Sequence, residues 1–167
     1  MPFEDDPEEE FEWEEDSEEE SADIADAAEG EELQQLIDET EELSETGELR
    51  KAVRMWRKSM DRFSDDPVAY FHLGRACFRL LTEEMVHEDL WQANADSVGL
   101  LEEALSALEE AVSMDPAHKD AWNLIGALHS LRDNHAQAAE AWEKSLKIDP
   151  KQKQVREDLA SARENLE

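Results

Sequence analysis

Positive charge is what this chain of 167 residues most conspicuously lacks: 46 acids stand against 16 Lys and Arg, for a net charge of −30. The shortage is unevenly placed, since 24 of the acids precede the first basic residue, Arg50. The first 49 residues therefore carry −24 and the remaining 118 only −6, which points to an acidic arm joined to an ordinary domain. So negative a surface repels phosphate backbones and anionic lipid, which argues against nucleic-acid binding and membrane docking. With one cysteine, Cys77, no internal disulfide can form and a zinc site cannot be assembled from thiolates. The five glycines stand apart from one another, so no Gly-rich phosphate loop is present. No apolar run approaches the ~20 residues of a membrane span. Met1 to Glu10 holds six acids and no Lys or Arg, the reverse of a secretory or mitochondrial leader, and the expectation is a cytoplasmic protein. Five prolines and five glycines are few, while Ala, Leu, Glu and Gln are plentiful, so helix is favoured nearly everywhere beyond the arm.

Residues 1–32 contain 18 acids, no bases and few apolar side chains, too little buried surface to offset the entropy of ordering. This arm is expected to be disordered. Within it Phe11 and Trp13 form an aromatic island that is either a linear docking motif or simply a solvated pair.

From Leu33 onward the pattern is helical and repeats. Ala52, Trp56 and Ser59 share their spacing with Ala104, Leu108 and Ala111, and with Ala138, Trp142 and Ser145. Each triplet puts a small, a large and a small residue on one helix face. A second shared pattern joins Tyr70, Leu73, Gly74 and Cys77 to Trp122, Ile125, Gly126 and His129. Pro116 and Pro150 lie 34 residues apart, each just after the end of an expected helix. In the order Trp122, Ile125, Gly126, Ala138, Trp142, Ser145 and Pro150 the chain resembles the tetratricopeptide repeat family, with His129 where a Tyr is usual.

The resemblance implies an all-α solenoid of helical hairpins with about three repeats, near 33–66, 67–118 and 119–150, closed by a capping helix over 151–166 and preceded by the disordered acidic tail. The first repeat is weak, with Leu36, Glu39, Thr40 and Leu43 in the signature slots, as terminal repeats often are. The second holds an insertion of 18 residues near 82–99, enough for five helical turns. It is either a lengthening of both helices or a loop around His87 to Trp91. In the last helix Val155, Leu159, Ala162 and Leu166 form a single apolar stripe.

No reactive constellation emerges. His118 and His129 have no third ligand at metal spacing, His87 lacks the second His of a helical zinc motif, and Cys77 falls on a packed helix face. Neither an enzyme, a metal nor a cofactor is expected. One charged feature is distinctive: Arg50, Lys51, Arg54, Arg57, Lys58 and Arg62 place six bases within thirteen residues. They either pair with Glu41, Glu42, Glu45 and Glu48 on the preceding helix or receive an acidic tail, in cis or from a partner chain.

In the family the first helix of each repeat lines a concave groove that binds peptides or helices. The positions corresponding to that groove are Phe71, His72, Arg75, Phe78 and Arg79 in the second repeat, Asn123 and Ser130 among those of the third, and Ile37, Glu41 and Ser44 in the first. A Phe flanked by two Arg suits a ligand with an apolar side chain near a carboxylate. A subset of the family grips chaperone C-termini with Lys, Asn and Arg side chains; the matching positions here are Ile37, Glu41, His72, Asp120 and Leu124, and all five depart. The expectation is therefore a non-catalytic adaptor that binds another protein through the groove. The alternatives are a polyanionic tail that shields a basic partner or imitates nucleic acid, and assembly into homo-oligomers by repeat stacking.

Overall fold

The computed structural model describes residues 15–87 and 95–166, and the side chains of 27–85 and 97–166. Seven helices follow one another and no strand occurs among the described residues: α1 Glu15–Glu45, α2 Leu49–Ser59, α3 Pro67–His87, α4 Ala95–Met114, α5 Lys119–Leu131, α6 His135–Ile148 and α7 Lys153–Glu164. None of them is long and apolar enough to cross a membrane. The chain divides into two compact units, Met1–Gln35 and Leu36–Glu167.

In the first unit the backbone is helical from Glu15, where apolar periodicity expects a helix only from Leu33 and composition expects a disordered arm over 1–32. The physical reason is local: Glu and Ala have high helix propensity, and no Pro interrupts 15–45. The rest of the arm, with Phe11 and Trp13, lies outside the described residues.

The second unit stacks three helical hairpins, formed by the later part of α1 with α2, by α3 with α4, and by α5 with α6, and ends in α7. Small residues where the paired helices meet allow the close approach. A Cβ on Gly74 would come 2.6 Å from Leu108 Cγ, and one on Gly126 would come 2.4 Å from Trp142 Nε1. In the first hairpin Thr40 takes the glycine's place, and the packed residue adapts. Trp56 Nε1–H donates to Thr40 Oγ1 at 3.0 Å, while the hydroxyl donates to the Leu36 carbonyl at 2.8 Å. Trp56, Leu108 and Trp142 thus fill corresponding holes, and all three are buried. Cys77 is fully buried, which pushes its thiol up to about 12, as for a small hydrophobe rather than a nucleophile.

Turn chemistry fixes where the hairpins bend. After α1, Gly47 takes a φ of +82° and the Glu48 N–H reaches back to the Leu43 carbonyl at 2.7 Å. After α5, Asp133 takes a φ of +58° and the Asn134 N–H reaches the His129 carbonyl at 2.9 Å. Both are Schellman closures of a helix C-terminus. α3 has no such stop and runs on to His87, with α4 beginning at Ala95, so the insertion lengthens both helices. The sequence between them, including Leu90 and Trp91, is outside the described residues. α3 starts at Pro67, whose missing N–H is harmless in a first turn, and Asp66 Oδ1 accepts the Val68 N–H at 2.7 Å.

α7 closes the far end. Val155, Leu159 and Ala162 are buried beside Ala138, Ala139 and Trp142. Leu166, the fourth member of the expected stripe, lies beyond the end of α7 at Glu164 and is exposed.

Candidate functional site

The first helix of each hairpin contributes to one face, and α3 occupies its middle. Arg75 is the hub. Its Nη2 donates to Glu41 Oε1 of α1 at 2.6 Å and to His72 Nδ1 at 3.0 Å, and its guanidinium lies 5.5 Å above the Phe71 ring. One turn on, Arg79 Nη2 donates to the Ser44 carbonyl at 3.2 Å, bonding to an acceptor that the end of α1 leaves free. On the opposite side the Phe71 ring meets His118, with centroids 4.2 Å apart. Phe71, His72, Arg75 and Arg79 therefore join α1 to α5 through α3. Phe78 is half-buried on the same helix.

His72 forms the floor. It is buried, stacks on Trp56 at 5.3 Å and meets the edge of Phe71 at the same distance. Because Arg75 donates to its Nδ1, the ring is the neutral tautomer with the proton on Nε2. Burial, followed by the Arg75 charge, pushes this imidazole down to about 4 against the opposing pull of Glu41. Glu41 in turn is held below the usual carboxylate range by its hydrogen bond from Arg75.

His118 is the contributor that sequence reasoning missed. It caps the N-terminus of α5, with Nδ1 accepting the Ala121 N–H at 3.3 Å, which leaves Nε2–H as the donor. Its place between the proline turn at Pro116 and the first residue of α5 was the available signal.

Two expected groove residues do not join this cluster. Asn123 turns toward the capping helix, where its Nδ2 donates to Gln152 Oε1 at 2.7 Å, and Gln152 Nε2 continues to Ser145 Oγ at 2.8 Å. The Asn123 Oδ1 is buried without a partner among the described residues. Ser130 is half-buried near the end of α5, where its carbonyl accepts the Asp133 N–H at 3.0 Å, and its hydroxyl has no hydrogen-bond partner among the described residues. Of the five positions that depart from the chaperone-tail pattern, Glu41 and His72 lie in the cluster, Asp120 is exposed, and Ile37 and Leu124 are half-buried.

The basic strip on α2 pairs differently from expectation. Lys51 meets Glu48 at 3.6 Å, but Arg50 pairs with Glu84 of α3. Arg57 forms a two-pronged bond to Glu103 of α4, at 2.7 and 2.5 Å. The lengthened part of α3 brings Glu84 to α2, α4 presents Glu103 just before its Ala104 slot, and Glu41 is already taken by Arg75. Among the described residues no group of three or more His, Cys, Asp or Glu is placed to hold a metal ion.

A family model described as tetratricopeptide repeat matches residues 95–153, from the start of α4 to the start of α7. Across these residues the chain is tetratricopeptide repeat sequence. Solved structures of this fold resemble it over most of its length. The first tetratricopeptide domain of Spaghetti (RPAP3), bound to the HSP90 peptide SRMEEVD, is 19% identical with a TM-score of 0.64, covering 78% of this chain and 90% of that one. The Sgt2 domain from Aspergillus fumigatus is 18% identical with a TM-score of 0.62, covering 81% of this chain and 79% of that one. The Yersinia enterocolitica type III secretion chaperone SycD, in complex with a peptide of the translocator YopD, is 12% identical with a TM-score of 0.63, covering 82% and 96%. At these identities the likeness establishes the shared tetratricopeptide fold. No curated protein sequence matches the chain.

Proposed function

We propose that this tetratricopeptide repeat protein is a non-catalytic adaptor that holds a peptide or helix of another protein across the face formed by α1, α3 and α5. The observation that carries the reading is the Phe71–Arg75–His118 cluster, a half-buried aromatic surface with a guanidinium on one side and an imidazole N–H on the other. A ligand side chain covers Phe71 and Phe78, and a ligand carboxylate takes the place of Glu41 on Arg75, keeping the charge-assisted bond that is already formed there. Arg79 exchanges the Ser44 carbonyl for a second acidic group in the same way.

The solved relatives in complex with an HSP90 peptide and a YopD peptide support peptide capture as the use of this fold. The ligand here differs from a chaperone tail, because Ile37, Glu41, His72, Asp120 and Leu124 replace the basic and amide side chains that hold such a carboxylate. Affinity purification of the full chain against an Arg75→Glu, Arg79→Glu double variant tests the reading. Bound protein should fall to background in the variant while the helical circular-dichroism signal is kept; equal capture by a folded variant would overturn it.

A further inference from the structure

The lengthened α3–α4 hairpin does more than protrude. Where it passes α2 it walls a cleft of about 700 Å³ whose lining shares no residue with the Phe71 cluster. The floor is Val53, Leu80 and Leu100, one from each of three helices, and the rim on the α2 side is Arg50, Arg54 and Arg57. These three arginines fall at intervals of four and three on a single helix face. The outer two already hold carboxylates, Arg50 from Glu84 and Arg57 from Glu103. Arg54 is exposed, lies between them, and has no partner among the described residues. On the opposite rim Gly99 leaves a gap: a Cβ there would meet nothing within 4 Å.

We infer that this cleft is a second binding site, which takes an acidic segment of a separate protein with one aliphatic side chain among its acids. The reasoning is charge complementarity joined to shape. The Glu84 and Glu103 carboxylates mark how acidic groups sit against this row, and Arg54 is the one place in it left open. A carboxylate there completes the alternation of guanidinium and carboxylate, with planar two-pronged geometry available as at Arg57. A residue next to that acid then drops through the gap beside Gly99 onto Val53, Leu80 and Leu100. A cleft that read charge alone would need no apolar floor. The site stands independently of the α1–α3–α5 face, since none of its residues belongs to that cluster.

The test uses the full chain and fluorescence anisotropy with a labelled peptide, Asp-Glu-Leu-Asp-Glu. Binding should weaken about tenfold in Arg54→Glu, the loss expected for one charge-assisted pair, and by a similar factor in Gly99→Leu, which fills the gap. The second variant guards against misfolding, because Leu has the higher helix propensity and meets open space. Arg75→Glu should leave this binding unchanged, which separates the cleft from the groove. Replacing the peptide's Leu by Ala should weaken it several-fold. No binding to the wild-type chain, or binding indifferent to Arg54→Glu and Gly99→Leu, would overturn the site. Equal binding of the Ala peptide or of a single-stranded oligonucleotide would also overturn it, showing a plain charge patch instead.

Discussion

Seven residues beyond the small-residue slot of each first helix, the three hairpins part company. Thr40 leads to Gly47 and Gly126 leads to Asp133, both with positive φ, whereas Gly74 leads to Leu81, which is helical and fully buried. A Leu in the left-handed region costs about 1–2 kcal/mol, and a buried Leu also gains from packing, so at this register the second hairpin continues where its neighbours bend. The lengthened repeat thus first departs from its neighbours at this position, just ahead of its 18-residue insertion. The extra turns of α3 and α4 follow from it, and with them the cleft that faces α2.

Breaking that contrast at Leu81 should have the largest effect. Leu81→Ala is expected to lose about 2–5 kcal/mol in urea unfolding, the cost of a cavity in a site with no exposure, without restoring a turn. A loss below about 1 kcal/mol would mean that the long hairpin is not anchored here.

The junction between the first two hairpins should be pH-sensitive. The His72 imidazole is pushed down to about 4 from a usual 6.5, so its stabilisation is complete above pH 6.5 and is lost as pH falls from there toward 4. The loss should be on the order of 3 kcal/mol, and His72→Phe should flatten that part of the stability profile relative to wild type. Parallel profiles for the two proteins would show that His72 protonates as readily in the fold as outside it.

The tryptophan slots give a subtler contrast. Thr40→Val removes the acceptor of the Trp56 indole N–H and should cost about 1–3 kcal/mol, with Thr40→Ser retaining most of the stability. Gly126→Ala should cost a similar amount by pushing the Trp142 ring, whose N–H bonds instead to the Asn123 carbonyl at 3.3 Å. If Thr40→Val proved neutral, the hydroxyl would be filling space and nothing more. Smallest of all, Asp133→Gly should raise stability by about 1 kcal/mol, relieving a non-glycine residue at positive φ, whereas Gly47→Ala should lower it by about as much. Changes of the same sign at the two positions would deny that both turns work alike.

Much of this organisation is legible in the amino-acid order. Gly74, Gly126, Trp142 and Pro150 announce the repeat because each has a steric task that few other residues perform. Thr40 looked like a lapse from the pattern and is instead the partner of Trp56, a relation invisible until the two helices are placed side by side. The basic strip was legible as a strip, but its partners were not. Glu41 and Glu45 are near in sequence, whereas Glu84 reaches α2 on the stretch of α3 beyond Leu81 and Glu103 reaches it from the position before the Ala104 slot of α4. His118, which has no third ligand at metal spacing, serves as a helix cap, a role set by the turn before it. Asn123 has a groove position by spacing, yet α7 supplies a better acceptor in Gln152.

Trp56 and Trp142, both buried, sit in the first and the last hairpins, and Trp122 lies on the surface of the last with the Lys144 ammonium 4.4 Å from its ring. Repeat arrays need not unfold all at once, because each hairpin touches only its neighbours. The two buried indoles therefore act as separate optical reporters at opposite ends of the solenoid. Keeping one and replacing the others by Phe would show, from the order in which emission shifts during unfolding, whether the first hairpin frays before the one closed by α7.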